Sequence, residues 1–251
     1  MSDKNREFFR RVYPQHWLSS RQLRSYNQLH YKYQEITLDR IECFDGCKLL
    51  ECGCGSGELL DRLHLRHANT TLLGLDIGHE SLVWAQGETA KRGHQGIHLA
   101  ESDVRQLPLP SNHFDRVLCS SVLWYVQSPA FVISEMIRVL KPGGRFVFDV
   151  RNPYHITNQM AELSLKLRRA LGKMAPAYSF YSPARISKLL QTLPVQFDIE
   201  GFFVLLPTRL PLLGTKWGNW VQWSPWLAFR AGHGPARWFA QKLLVSGQKL
   251  Q

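Results

Sequence analysis

The 251-residue sequence lacks any apolar run close to the roughly 20 residues that a membrane-spanning helix needs. Its longest candidate, around Phe202–Leu206, has the length of a strand. The first residues carry charges but no apolar stretch of signal-peptide length, so we expect a cytoplasmic protein. The five cysteines show no paired C-x-x-C spacing and the histidines are scattered, so we expect reduced thiols and no metal site.

Acidic residues are scarce in the last third of the chain. Residues 151–251 contain 13 basic and 3 acidic residues, whereas residues 41–150 contain 10 basic and 13 acidic residues. Residues 1–40 contain 8 basic and 4 acidic residues. The middle of the chain therefore has the charge balance of an ordinary enzyme core. The C-terminal third predicts a basic surface that could attract nucleic acid, anionic lipid or an acidic substrate.

Short apolar strands alternate with helical patterns through the middle of the chain. The predicted strands are Lys48–Gly53, Thr71–Asp76, Ile97–Asp103, Phe114–Ser120 and Arg145–Val150, and the helices between them begin near Glu58, Glu80 and Ala130. This alternation predicts an α/β fold with a doubly wound, mainly parallel sheet, whose ligand binds beyond the carboxyl ends of the strands. We divide the chain into a helical segment (1–40), a ligand-binding core (41–150) and a C-terminal part (151–251).

A glycine loop follows the first predicted strand and reads Glu51-Cys52-Gly53-Cys54-Gly55-Ser56-Gly57. Three glycines at alternate positions allow a sharp turn and a close approach of the backbone to a ligand. A dinucleotide-binding loop would place its third glycine where this chain has Glu58, and no Lys-Ser/Thr pair marks a P-loop. The acidic Glu51 just before the loop favours a cationic ligand over a diphosphate. A tight turn without a ligand is the alternative.

Two further acidic residues end the next two predicted strands. Asp76 ends the second strand, where a carboxylate can accept both ribose hydroxyls of a nucleoside, or can cap the following helix. Asp103 ends the third strand and could accept an adenine amino group, or could be a turn residue. Together with Glu51, these residues place acids at the ends of three successive strands, which favours a nucleoside site.

The segments ECGCGSG, GLDIGHESL, ESDVRQLPLPSNHFDRVLCS and EMIRVLKPGGRFVFDV together resemble the class I S-adenosylmethionine (SAM)-dependent methyltransferases. The similarity covers residues 45–150 and is greatest to the group that contains the ubiquinone/menaquinone biosynthesis methyltransferases. It implies a Rossmann-like sheet of seven strands with a reversed last strand, which we expect at Trp238–Ser246 beside Gln196–Leu206. N-terminal helices and a C-terminal aromatic and basic cap would complete the fold.

The resemblance also implies roles for individual residues. Gly53, Gly55 and Gly57 would pass the methionine part of SAM, with Glu51 near its amino group. The nucleoside would contact Asp76 through its ribose and Ile77, Asp103 and Val104 through its adenine, and Ser120 would line the methyl side.

The acceptor site does not follow from the resemblance. Many relatives have a histidine in the loop after the fourth strand, whereas this chain has the segment Val122–Val126, which contains none. If the acceptor must lose a proton, the candidate bases are Tyr125 and His155. A loop histidine without a catalytic role is the alternative for His155. We expect SAM-dependent methylation of a small-molecule or lipid-like acceptor. The alternatives are an RNA methyltransferase and a SAM-binding partner or regulatory protein without activity.

The C-terminal tail is rich in tryptophan. Trp217, Trp220, Trp223 and Trp226 recur at every third residue, and Trp238 follows, with basic residues between them. Tryptophan and basic residues together suit peripheral contact with an anionic membrane, or stacking on single-stranded nucleic acid, which we do not expect here. A cap that packs its tryptophans over the sheet or the substrate is the alternative.

Overall fold

A computed structural model describes residues 24–173, 175–202, 230–232 and 234–251. The strands are β1 (Lys48–Cys52), β2 (Thr71–Asp76), β3 (Ile97–Glu101), β4 (Phe114–Cys119), β5 (Leu140–Arg151), β6 (Val195–Phe202), β7 (Arg230–Gly232) and β8 (Lys242–Lys249). The α-helices are α1 (Arg24–Ile41), α2 (Glu58–Arg66), α3 (His79–Lys91), α4 (Pro129–Val139), α5 (Ile156–Ala170) and α6 (Pro183–Leu190). Two short 3₁₀ helices span Leu123–Tyr125 and Pro235–Phe239.

The described strands form one sheet in the order β3-β2-β1-β4-β5-β8-β6-β7. The strands β1 to β5 are parallel to one another, whereas β8 lies between β5 and β6 and is antiparallel to both. The predicted α/β fold, with its mainly parallel sheet and reversed last strand, is therefore confirmed. The three-residue strand β7 pairs with β6 and adds an eighth strand to the seven that were expected.

Three predicted boundaries were wrong. The third strand ends at Glu101 and not at Asp103, because Asp103 accepts a hydrogen bond from the backbone N–H of Arg105 and turns the chain. The fifth strand begins at Leu140, which already pairs with Phe114, so the Lys-Pro-Gly-Gly segment lies within the strand. The last strand begins at Lys242, because Trp238 belongs to the preceding 3₁₀ helix.

The two ends of the chain are described only in part. Helix α1 confirms a helix at the end of the 1–40 segment, and the helices α5 and α6 follow β5. The tryptophans Trp217, Trp220, Trp223 and Trp226 lie outside the described residues. No helix within the described ranges has the length and apolar character needed to cross a membrane.

Successive side chains of β5 point to opposite faces of the sheet, and each face is covered by helices. Phe146 and Phe148 pack in a core with residues of α4 and α6. Val147 packs on the other face, in a core with Tyr33 of α1 and residues of α2. By the same alternation, Asp149 and Arg151 lie on the face that α1 covers, and they do so at the carboxyl end of the strand.

Gly247 of β8 provides the space that the Phe146 ring occupies between the neighbouring strands. A Cβ at Gly247 would lie 2.5 Å from Phe146 Cζ and closer still to the carbonyl oxygen of Gln196. We expect Gly247→Ala to lower the free energy of unfolding by about 1–3 kcal/mol, because these neighbours are held in the sheet and must shift. Urea unfolding measures this change.

Gly87 of α3 is the matched control, since it is exposed and a Cβ there would have no atom within 4 Å. We expect Gly87→Ala to raise the free energy of unfolding by up to about 1 kcal/mol, because alanine favours the helix. Equal effects of the two substitutions would contradict this account of β8.

Candidate functional site at the carboxyl ends of the strands

The glycine loop between β1 and α2 depends on left-handed backbone conformations. Gly53, Gly55 and Gly57 have φ angles of 77°, 53° and 73°, which glycine adopts without a steric penalty. A Cβ at Gly53 would lie 2.3 Å from Val122 Cγ2, so the loop passes directly against the segment after β4. A Cβ at Gly55 would have no atom within 4 Å, so this glycine faces open space beside the loop.

Asp76 connects the glycine loop to the turn between β2 and α3. Its Oδ2 accepts a hydrogen bond from the Gly55 N–H and its Oδ1 accepts one from the Gly78 N–H, each at 2.8 Å. Burial raises the pKa of the Asp76 carboxyl, and these backbone N–H groups act in the opposite direction. Ile77 lies half-buried between the two contacts. The structure therefore brings Asp76 and Ile77 to the glycine loop.

Glu51 is a carboxylate buried at the base of the same loop. It is 3% exposed, and its Oε2 accepts no hydrogen bond from the described residues. Burial raises the pKa of the Glu51 carboxyl well above its usual range, and the charges of Asp76 and Glu58 raise it further. A buried polar atom without a partner is costly, so Glu51 is a position that a cationic ligand group would stabilise.

The remaining predicted cofactor residues lie after β3 and β4. Asp103 forms an ion pair with Arg105, whose Nη2 lies 2.6 Å from Oδ2, and Val104 between them is buried. Ser120 is half-buried directly after β4. The next residue, Ser121, has a φ angle of 64° and donates its N–H to Asp149 Oδ1 at 2.6 Å.

A buried polar cluster at the ends of β4, β5 and β8 was not predicted from the sequence. Its centre is Asp149, which is fully buried and accepts hydrogen bonds from Tyr33 Oη at 2.7 Å and Lys242 Nζ at 3.2 Å. Lys242 Nζ also donates to Ser121 Oγ at 3.1 Å. The acid within the apolar run FVFDV was the one signal in the sequence that could have indicated this cluster.

The charges in this cluster affect its titrating groups. Burial lowers the pKa of Lys242, while the nearby Asp149 raises it. Burial, together with the charge of Lys242, lowers the pKa of His30 to about 4. Burial and Asp149 raise the pKa of the Tyr33 hydroxyl well above its usual range. At neutral pH the neutral forms of His30 and Tyr33 therefore surround the Lys242–Asp149 ion pair.

The two predicted acceptor-site residues have different contacts. His155 is buried at the N-terminus of α5, where its Nδ1 accepts a hydrogen bond from the Thr157 N–H. Burial lowers the pKa of its imidazole. The Tyr125 ring lies 5.7 Å from the Trp124 ring and 5.4 Å from the Tyr178 ring. No hydrogen bond among the described residues joins His155 to Tyr125.

Residues 50–148 match the family model of a methyltransferase domain. A ubiquinone biosynthesis O-methyltransferase from Pseudomonas putida (strain GB-1) is 34% identical over 137 residues, which are 52% of this chain and 57% of that protein. A ubiquinone/menaquinone biosynthesis C-methyltransferase from Azotobacter vinelandii is 29% identical over 164 residues, which are 64% of this chain and 60% of that protein. The chain thus spans less than two thirds of the length of these curated relatives.

A solved structure of a SAM-dependent methyltransferase from Thermotoga maritima has the same fold. It superposes with a TM-score of 0.65 at 15% identity, covering 99% of this chain and 100% of that chain. The matched family segment contains the glycine loop, Asp76 and Asp103, and it runs from β1 into β5. Residues 50–148 therefore match a methyltransferase domain, and the fold of the chain is the one seen in solved SAM-dependent methyltransferases.

Proposed function

We propose that this chain transfers a methyl group from SAM to a small-molecule or lipid-like acceptor. The observation that carries the proposal is the buried Glu51 carboxylate, which lacks a hydrogen bond at Oε2 and lies beside a glycine loop. SAM carries an ammonium group that could supply the missing donors. The two curated relatives act in quinone biosynthesis, which supports a small, apolar acceptor.

The other residues of the site fit the remaining parts of SAM. The open space beside Gly55 would take the methionine chain, and Asp76 would accept the ribose hydroxyls with the lone pairs that its two backbone contacts leave. Ile77, Asp103 and Val104 would contact the adenine, with Asp103 shared between the adenine and Arg105. Ser120 would lie on the methyl side.

The sulfonium of SAM, when bound, supplies an activated methyl group for an in-line displacement. The chain itself must hold the acceptor in line and exclude water. The segment from Ser120 to Tyr125 suits this task, because Ser121 is fixed by Asp149 and Trp124 is buried. A base is required only when the acceptor must lose a proton.

Glu51→Gln tests the cofactor site, with S-adenosylhomocysteine as the ligand in calorimetry. We expect an affinity loss of about tenfold or more near neutral pH, because a hydrogen bond to a charged group contributes about 1.5–3 kcal/mol. Glu80→Gln, an exposed acid in the first turn of α3, is the matched control and should bind normally. Unchanged affinity in Glu51→Gln would remove the main support for the proposal.

The same variant should become more stable without ligand. The pKa of Glu51 is raised in the folded protein, so its contribution to stability is present at low pH and is lost as the pH rises through that raised value. At pH values above this raised pKa, Gln at this position avoids a buried charge, and we expect a higher free energy of unfolding than in the wild type. A lower value would show that Glu51 is a structural residue.

His155→Asn tests whether His155 removes a proton from the acceptor. Asparagine is a good helix N-cap, so the variant keeps an acceptor for the Thr157 N–H while it removes the titrating group. If His155 is the base, turnover falls by about 10²–10⁴-fold at unchanged stability. Turnover at the wild-type rate would assign His155 to the helix cap alone.

We further propose peripheral contact with an anionic membrane, for which α5 provides support. Ile156, Met160, Leu163 and Leu167 recur at intervals of four, three and four residues, and all are about half or more exposed. Exposed basic residues accompany this apolar stripe, at Lys166, Arg168 and Lys173. An amphipathic basic helix of this kind suits a membrane surface.

Flotation of vesicles that contain phosphatidylglycerol tests this proposal at low and high salt. We expect wild-type retention at low salt, and a loss of about tenfold or more in Leu163→Glu, because the leucine can no longer be buried in the lipid. Val83→Glu, at an exposed apolar position of α3, is the matched control and should float like the wild type. Absence of retention at low salt would contradict membrane contact.

A further inference from the structure

Arg151 is the last residue of β5. It therefore lies at the carboxyl ends of the parallel strands, where the acceptor would bind. It pairs in register with Lys242 of β8 and lies on the same face of the sheet as Asp149. Its backbone also pairs with Phe180, in the segment between α5 and α6. The structure therefore places two cationic side chains next to each other at the carboxyl end of β5.

The Trp124 ring contacts both cations. Lys242 Nζ and the Arg151 guanidinium carbon each lie 4.7 Å from the centroid of this ring. Lys242 has its counterion in Asp149, as described above. The guanidinium of Arg151 instead lies 4.7 Å from a second aromatic centroid, that of Tyr178.

Arg151 has no acidic partner within the part of the chain that the structure describes. No carboxylate there lies within 4.0 Å of its guanidinium, and no acceptor there takes a hydrogen bond from it. Outside the described ranges, residues 203–229 contain no Asp or Glu, and residues 1–23 contain Asp3 and Glu7. Of the three acids after residue 150, Glu162 pairs with Arg169 and Glu200 with Arg40.

The N–H groups of the Arg151 guanidinium are the part of this side chain that could bind a ligand. Both ring centroids lie 4.7 Å from the guanidinium carbon, while the N–H donors along the edge of the planar group have no acceptor among the described residues. A planar anion that accepts two parallel hydrogen bonds fits this edge, and a carboxylate is the simplest such group. The half-buried position of Arg151 would strengthen the interaction over one in open solvent.

The residues near Arg151 indicate the chemistry of the part of the ligand beyond its anionic group. Tyr125 and Phe180 pack against Tyr178, with ring centroids 5.4 and 6.1 Å away. Tyr178 and Phe180 also line an open cavity of about 410 Å³ whose lining contains Arg185 but no carboxylate. The rings of Tyr125, Tyr178 and Phe180 suit a flat body beside the anion, and the lining of the cavity also contains the polar Gln127, Ser179 and Ser182.

We propose that Arg151 binds the carboxylate of the acceptor, and that the acceptor is an apolar, aromatic-sized carboxylic acid. This inference rests on the proposed function, since it assigns the acceptor side of the same site. Arg151 acts as a specificity-determining residue: the carboxylate lies against its guanidinium edge and the apolar body lies against the tyrosines.

Binding of 2-naphthoate and its neutral amide, 2-naphthamide, tests the proposal. The full chain is titrated by calorimetry or tryptophan fluorescence, with and without S-adenosylhomocysteine. We expect the wild type to bind the carboxylate at least about tenfold more tightly than the amide, because each hydrogen bond then involves two charged groups. Equal affinities for the two probes would overturn the proposal.

The variants show whether Arg151 causes the preference. We expect Arg151→Gln to abolish it and Arg151→Lys to keep a smaller part, since lysine retains the charge but not the planar pair of donors. Arg168→Gln, which removes an exposed charge from α5, should leave it unchanged. A preference that survives in Arg151→Gln, or one that is equally reduced in Arg168→Gln, would overturn the assignment.

The two proposals can fail separately. If the wild type binds S-adenosylhomocysteine but does not distinguish the naphthalene probes, the cofactor assignment stands and the carboxylate site is wrong. If the wild type prefers the carboxylate through Arg151 but does not bind S-adenosylhomocysteine, the anion site stands and methyl transfer is wrong. If Arg151→Gln does not fold, Arg151→Lys and the wild-type comparison decide the question.

Discussion

The hydrogen bond from the Gly55 N–H to the Asp76 carboxylate is the contact on which the candidate site depends. It joins the loop after β1 to the end of β2, and Asp76 uses its other oxygen to hold the turn before α3. The loop can follow this path because Gly53, Gly55 and Gly57 adopt left-handed conformations. The open space beside Gly55 and the position of Glu51 beneath the loop both follow from this arrangement.

Three carboxylates lie at or near the carboxyl ends of β1, β2 and β5, and their hydrogen bonds differ. Asp149 accepts hydrogen bonds from a hydroxyl, an ammonium and a backbone N–H, so it stabilises the join between α1, β4, β5 and β8. Asp76 accepts two backbone N–H groups. Glu51 alone among the three has a buried oxygen without a donor in the described residues. An unpartnered buried oxygen is costly, and Asp76 and Asp149 avoid this cost because their oxygens accept hydrogen bonds. The cost that remains at Glu51 supports a ligand at this position.

The sequence predicted the features that arise from local patterns, and it missed those that arise from distant contacts. The glycine loop, Asp76 and the parallel strands follow from residue types and periodicities within short windows. Tyr33 and Lys242 meet Asp149 across separations of 116 and 93 residues, because α1 packs on the sheet and β8 inserts beside β5. The third strand was predicted too long because Asp103 turns the chain through its own side chain, which hydrophobic periodicity does not register.

Proton release on ligand binding shows whether Glu51 contacts the ammonium group of the cofactor. If Glu51 holds the ammonium of the cofactor, its raised pKa must fall when the ligand binds, and protons must be released. Calorimetry of S-adenosylhomocysteine binding in buffers of different ionisation enthalpy measures this release, and Glu51→Gln separates the Glu51 contribution from that of Asp76. We expect proton release in the wild type and a smaller release in Glu51→Gln, and we expect the affinity for S-adenosylhomocysteine to rise with pH through the raised pKa of Glu51. Equal proton release in the two proteins, or binding without release, would contradict it.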